Sequence, residues 1–279
     1  MKFFSLLHKK YGYIYPKINR LRGSYRLYRV LRALAEKERK DIEPSKAESI
    51  FEKGDWDNLI ILDACRHDLY EEINGETDYR ISLGGKSKEF IQKNFSKGDY
   101  SDVVYITANP YFHISEFKDL TGREPEEVFH CVFDVYESEW NQELGTVLPE
   151  SVLEESLTAE KLFPEKRKII HFMQPHLPFL NSSIDHYGFA QRRNVDKNIE
   201  GVWSKAKRGE VSSENVWRDY KENLREVQKY VDELKCKIKG RTVVTADHGN
   251  FMGEGGLWGH DFEGSKAKCL RKVPWDRID

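Results

Sequence analysis

The chain lacks any apolar run near the ~20 residues that a membrane-spanning helix requires. It also lacks a charge bias. Its 45 Lys and Arg stand against 47 Asp and Glu, a formal net charge of −2. That balance excludes bulk attraction to polyanions, so no nucleic-acid partner is expected. Cysteines are few. Cys65, Cys131, Cys236 and Cys269 are scattered without the paired spacing of a structural metal site. Reduced, mostly buried thiols are the expected state. The opening MKFFSLLHKK has too short an apolar core for a secretory leader, and no small-residue cleavage site follows. A cytoplasmic protein is expected. No internal repeat or low-complexity segment is present. What remains is a chain of 279 residues, 33% charged, long enough for one large α/β domain.

Two strand ends carry the chemistry. Thr242 to Thr245 is a short β-branched run, and it leads into Asp247-His248-Gly249. A carboxylate and an imidazole there leave the sheet where α/β proteins place their sites. Both ligate divalent metals. The plainer alternative is a turn with a capping Asp and a solvated His. Asn58 to Leu62 is a second apolar run, suited to a parallel strand buried on both faces, and Asp63 closes it. Asp63 alone reads equally as a helix N-cap. Two acidic strand ends in one sheet favour a shared site.

The ordered blocks DACRHD (63–68), TADHGN (245–250) and GHDF (259–262) resemble the sulfatase-like branch of the alkaline phosphatase superfamily. Lipoteichoic acid synthases, phosphoethanolamine transferases and cofactor-independent phosphoglycerate mutases are more distant members. Lesser matches are YITANP (105–110), LGTVLPE (144–150), HFMQPHLPF (171–179) and VPW (273–275). The resemblance spans Asp57 to Trp275. It implies an α/β/α sandwich with a largely parallel central sheet. It also implies a metal-bound hydroxyl or thiol nucleophile that attacks a phosphate or sulfate ester.

Asp63, Asp247 and His248 would supply three metal ligands and leave a position open. Zn, Mn or Ca would suit such donors, with one ion expected and room for a second. Asp68 reads as structural. A nucleophile belongs at a helix start, where orphan N–H groups meet an anion. SLGGKSKEF (82–90) has that character. It is similar to the lipoteichoic acid synthase stretch in which a Gly-Lys pair precedes the nucleophilic threonine, which points to Ser87 beside Lys86. Ser82 is the competitor, and the plainer role for Ser87 is a helix cap. The CxPxR motif of formylglycine sulfatases is absent, because Cys65 is followed by Arg-His-Asp.

The resemblance implies that His176 reaches the scissile group's oxygens or a second metal, whereas His171 reads as buried in its strand. His260 matches a position that contacts the transferred group or metal, and Glu254 lies in the same glycine-rich loop. Arg66 would pair with a substrate anion or with Asp68 or Glu71. Asn109 is a turn residue or a site-facing amide.

Residues 1–53 form a basic, mainly helical segment, and 54–279 the catalytic domain. Twelve basic residues in 1–40 oppose only Glu36 and Glu38. They imply peripheral contact with anionic lipid or another polyanion, or a helix packed on the domain with its basic face in water. Strands are expected at 103–107, 130–135 and 168–173, and helices at 152–163 and 214–239, the last stopped by Gly240. Residues 181–213 read as a surface excursion or lid. The leading reading is a metal-dependent hydrolase of phosphate or sulfate esters acting through Ser87, with Arg66, His176 and His260 serving the substrate. One alternative is a phosphoglycerol- or phosphoethanolamine-type transferase on a glycan or lipid. Another is a non-catalytic binder of anionic glycans.

Overall fold

The computed structural model describes residues 46–184 and 201–278. Most of the basic segment and part of the expected lid lie outside these residues. Twelve strands occur among those described: β1 Ala47–Glu48, β2 Asn58–Leu62, β3 Tyr79–Ser82, β4 Tyr100–Thr107, β5 Phe129–Asp134 and β6 Trp140–Asn141. They continue as β7 Thr146–Val147, β8 Arg167–Phe172, β9 Thr242–Thr245, β10 Phe251–Met252, β11 Trp258–Gly259 and β12 Lys272–Ile278. Eight make the central sheet, in the order β1-β3-β12-β9-β2-β8-β4-β5. All neighbours pair in parallel except β12, which runs antiparallel to β3 and β9.

The period of two along each strand divides the core between the two sheet faces. In β2, Ile60 and Leu62 join one apolar cluster, and Leu59 and Ile61 join the other. The first cluster is closed by the Ser213–Lys235 helix, whose Tyr220, Leu224, Val227, Val231 and Leu234 are buried. Each such side chain contributes about 1.5–3 kcal/mol. The Pro149–Leu162 helix adds Val152, Leu153 and Ala159 on the same face. Phe90, Ile91 and Phe95 of the Ser87–Phe95 helix, with Phe117 of the Ile114–Thr121 helix, close the other face. The result is an α/β/α sandwich.

The expected strands and helices are present within a few residues of their predicted bounds. One stop differs. The long helix ends at Lys235, not at Gly240. Gly240 instead turns the chain into β9 with φ +99, so close to Asp57 that a Cβ would lie 2.7 Å from the Asp57 Cβ. Strand β12 does not follow from the sequence pattern, because Pro274 sits inside it and proline rarely enters an inner strand. Here Pro274 pairs with Tyr79, and its carbonyl accepts from the Thr245 hydroxyl at 2.7 Å. Residues 47–48 form the edge strand beside β3, and Ile50 just after them is fully buried, its carbonyl accepting from Trp56 Nε1. Among the described residues no helix is long and apolar enough to cross a membrane.

Candidate active site

Parallel strands β2, β8 and β9 end side by side, because β2 pairs with both of the others. Their C-terminal ends bring Asp63, His171 and Asp247 together, all buried, with one donor atom from each within 4.8 Å of the others. Asp247 Oδ1 accepts from the Ala64 and His248 amides at 3.0 and 2.9 Å. Asn109 Nδ2 donates to Asp63 Oδ2 at 2.8 Å. Asp63 Oδ1, Asp247 Oδ2 and His171 Nε2 are buried without a hydrogen-bond partner. Two carboxylates with unmatched oxygens in a dry interior are costly unless a cation joins them. The residues therefore fit a divalent metal. Burial alone would raise the Asp63 carboxyl. The nearby His171 ring and the charges of His176 and His248 outweigh it and hold Asp63 well below the carboxylate range.

The turn after Asp63 is tightly fixed. Ala64 takes a positive φ of 60, a left-handed conformation that costs a non-glycine residue about 1–2 kcal/mol. Its amide is bound to Asp247, and its carbonyl accepts the buried Tyr220 hydroxyl. His248 lies against the same carboxylates, with Nε2 3.4 Å from Asp247 Oδ2 and 3.7 Å from Asp63 Oδ1.

Ser87 opens its helix one residue after the N-cap, Lys86, which makes no side-chain capping bond. The Ser87 hydroxyl lies 3.2 Å from His248 Nε2 and 3.4 Å from Asp63 Oδ2. Ser82 is placed differently. It is fully buried and donates to the Asp247 carbonyl at 2.5 Å.

Three imidazoles share one arrangement. The Nδ1 atoms of His248, His176 and His260 lie 2.8, 2.8 and 2.7 Å from the oxygens of Gly249, Leu177 and Asn250. An oxygen acceptor fixes a proton on Nδ1 and turns the Nε2 edge of the ring the other way. The His260 ring centroid lies 4.3 Å from that of His248 and 5.1 Å from that of His176. Burial, then the charges of His248 and His176, depress His260 well below the histidine range, so it is neutral.

Of the two roles expected for Arg66, the structure shows the ion pair, with Glu254 rather than Glu71 as the second partner. Its guanidinium meets Asp68 at 2.6 and 2.8 Å, Glu254 at 2.5 Å and the Asn250 carbonyl at 3.1 Å. Asp68 is thereby structural. Asn109 combines both expected roles, because its Oδ1 accepts from Tyr111 N while its amide holds Asp63. Cys65 is buried, and burial pushes its thiol well up. His171 is buried in its strand as expected, yet it faces Asp63, with Nε2 3.6 Å from Oδ2. Its signal was a lone histidine one residue before the end of a strand that pairs with the strand of Asp63.

No family model and no curated protein matches this chain. Solved structures do. The chain is similar to the soluble domain of lipooligosaccharide phosphoethanolamine transferase A from Neisseria meningitidis. The likeness covers 78% of this chain and 75% of that one, at TM-score 0.50 and 15% identity. Against the integral membrane form of that enzyme it covers 78% and 47%, at TM-score 0.49 and 15% identity. An alkaline phosphatase superfamily protein from Vibrio parahaemolyticus matches over 88% and 66%, at TM-score 0.40 and 13% identity. At such identities the likeness is one of fold. The chain shares the fold of that transferase domain, an alkaline-phosphatase-like α/β/α sandwich.

Proposed function

We propose that this protein is a metal-dependent enzyme that cleaves a phosphate or sulfate ester through Ser87. The observation that carries this reading is the Ser87 hydroxyl itself. It is spent on no cap, and it lies between His248 Nε2 and Asp63 Oδ2, beside carboxylate oxygens with no partner. Asp63, Asp247 and His248 would hold the ion, and His171 Nε2 is a fourth donor turned toward them. A bound divalent ion lowers the pKa of a neighbouring hydroxyl and polarises the ester.

The protein's own groups carry the rest. Ser87 Oγ bonds to phosphorus or sulfur as the ester oxygen departs. His176 takes up the proton that Ser87 loses and passes it to the departing oxygen. Neutral His260 accepts a proton from the water or acceptor hydroxyl that cleaves the seryl ester. Arg66 braces the loop that carries Asn250 and Glu254.

A second reading, transfer of a phosphoethanolamine- or phosphoglycerol-type group, draws on the fold shared with a phosphoethanolamine transferase domain. The proposal includes a cytoplasmic location, with the basic residues of 1–40 either touching an anionic membrane or facing water from a helix packed on the domain. The test is metal analysis of the purified full chain, then a panel of phosphomonoester, phosphodiester and sulfate ester. Bound Zn or Mn with metal-dependent cleavage supports the proposal. Product formed faster with an acceptor hydroxyl than with water selects transfer. Absence of metal together with tight binding of an anionic glycan overturns catalysis.

A further inference from the structure

Glu89 lies two residues beyond Ser87, buried in the first turn of the same helix with 8% of its surface exposed. Its carboxylate joins two loops. Oε2 accepts from the Gly85 amide at 3.1 Å, just before Lys86 and Ser87. Oε1 accepts from the Gly264 amide at 2.6 Å, four residues after His260. Lys93 Nζ stands 3.5 Å from Oε2. The two loops also touch through backbone, because a Cβ on Gly85 would lie 3.4 Å from the Ser265 carbonyl oxygen.

The loop of His260 has a small core of its own, made by Phe251, Leu257, Ala267 and Leu270, with Phe262 packed on it. Such a unit moves as a body unless it is fastened. A carboxylate that served only the helix dipole would need amides of its own helix start. Gly264 belongs to a segment 175 residues away. Arg271, at the far end of that segment, reinforces the join by donating to the Ser82 and Leu83 carbonyls at 2.8 and 2.7 Å.

We propose that Glu89 is a positioning residue that clips the His260 loop to the Ser87 loop and so fixes the distance between nucleophile and histidine. The proposal rests on the reading of Ser87 and His260 as a working pair. Neither oxygen of Glu89 makes a described contact with Asp63, Asp247 or His248. Its loss should therefore spare metal binding and disturb only the alignment of the two loops.

The test compares the full-chain wild type with Glu89→Ala and Glu89→Gln, each loaded with Zn or Mn. Readouts are hydrogen exchange at the Gly85 and Gly264 amides, metal stoichiometry, and kcat and KM on bis(4-nitrophenyl) phosphate. Glu89→Ala should speed exchange at both amides by about 10-fold or more, because a buried hydrogen bond is lost at each. It should lower kcat by about 10-fold or more while KM and metal content stay within about 2-fold, the pattern of a lost transition-state alignment. Glu89→Gln keeps one acceptor oxygen and should fall between. Unchanged exchange at Gly264, or kcat that falls only in step with metal content, overturns the clip. If the wild type cleaves no ester while Gly264 exchange responds as expected, the clip stands and the functional reading fails.

Discussion

Ser87 Oγ and His248 Nε2 lie 3.2 Å apart, and that distance is set by a carbonyl on the far side of the ring. The Gly249 oxygen, 2.8 Å from His248 Nδ1, fixes a proton there and turns Nε2 toward the serine. The serine comes from a helix start near β3 and the histidine from the end of β9. The pair is therefore a statement about how two parts of the sheet are joined.

Asp247→Asn should abolish tight metal binding and leave the fold intact. Its Oδ1 can still accept from Ala64 and His248, while the unpartnered oxygen becomes an amide. The loss of affinity should exceed the ~10–100-fold typical of an outer-shell partner. Melting of the metal-free protein should be unchanged or slightly raised, since one buried carboxylate is gone. Full metal occupancy in this variant would remove Asp247 from the ligand set.

Ser87→Ala should remove turnover and keep both metal and substrate binding. Ser82→Ala should keep turnover and lower stability by about 1 kcal/mol, because its hydroxyl is committed to the Asp247 carbonyl. Activity measured in both variants decides the nucleophile. An active Ser87→Ala with a dead Ser82→Ala would move the assignment to Ser82.

His260 should make the metal-free protein acid-sensitive. Its folded pKa lies well below 6.5, chiefly through burial. Below pH 6.5 the unfolded chain binds a proton that the folded ring refuses. Stability is therefore complete above that pH and falls as pH drops, by at most about 1.4 kcal/mol per pH unit. Denaturant titrations between pH 7 and 5 should show this slope, and His260→Gln should flatten it.

Ala64→Gly should be neutral or stabilising by up to about 1 kcal/mol, because relief at φ 60 offsets the extra freedom of the unfolded glycine. Tyr220→Phe should cost about 1–3 kcal/mol, since the buried Ala64 carbonyl loses its donor. Chemical denaturation of both variants checks the turn as a source of strain. An unaltered midpoint in Tyr220→Phe would count against it.

Deleting residues 1–40 should abolish binding to anionic vesicles and spare cleavage of a small soluble ester. Each basic residue near such a surface is worth about 1 kcal/mol, screened by salt. Aggregation or loss of small-ester cleavage would show instead that the segment packs on the domain.

Much of the sheet was legible because its inner strands are apolar runs that end in charged or polar residues. Asp63 and Asp247 mark their own strand ends. The role of His171 was not legible, since it depends on β8 lying beside β2, a pairing between residues more than a hundred positions apart. The same holds for Asn109, which reaches Asp63 from the end of β4. The second ion-pair partner of Arg66 was not legible either. Its partner Glu254 is distant in sequence, so ion pairing and ligand binding looked alike.

Strand β12 gives the molecule an assembly order. In the hydrogen-bonded sheet, β1 and β3 meet the other five strands through β12 alone. Residues 79–87, which lead from β3 to Ser87, are therefore tied to those five strands by hydrogen bonds from a segment far along the chain. Contacts of such long sequence separation form late. Residues 272–278 link by hydrogen bonds two parts of the sheet that the Ser87–Phe95 helix, packed on Leu59 and Ile61, links through the core.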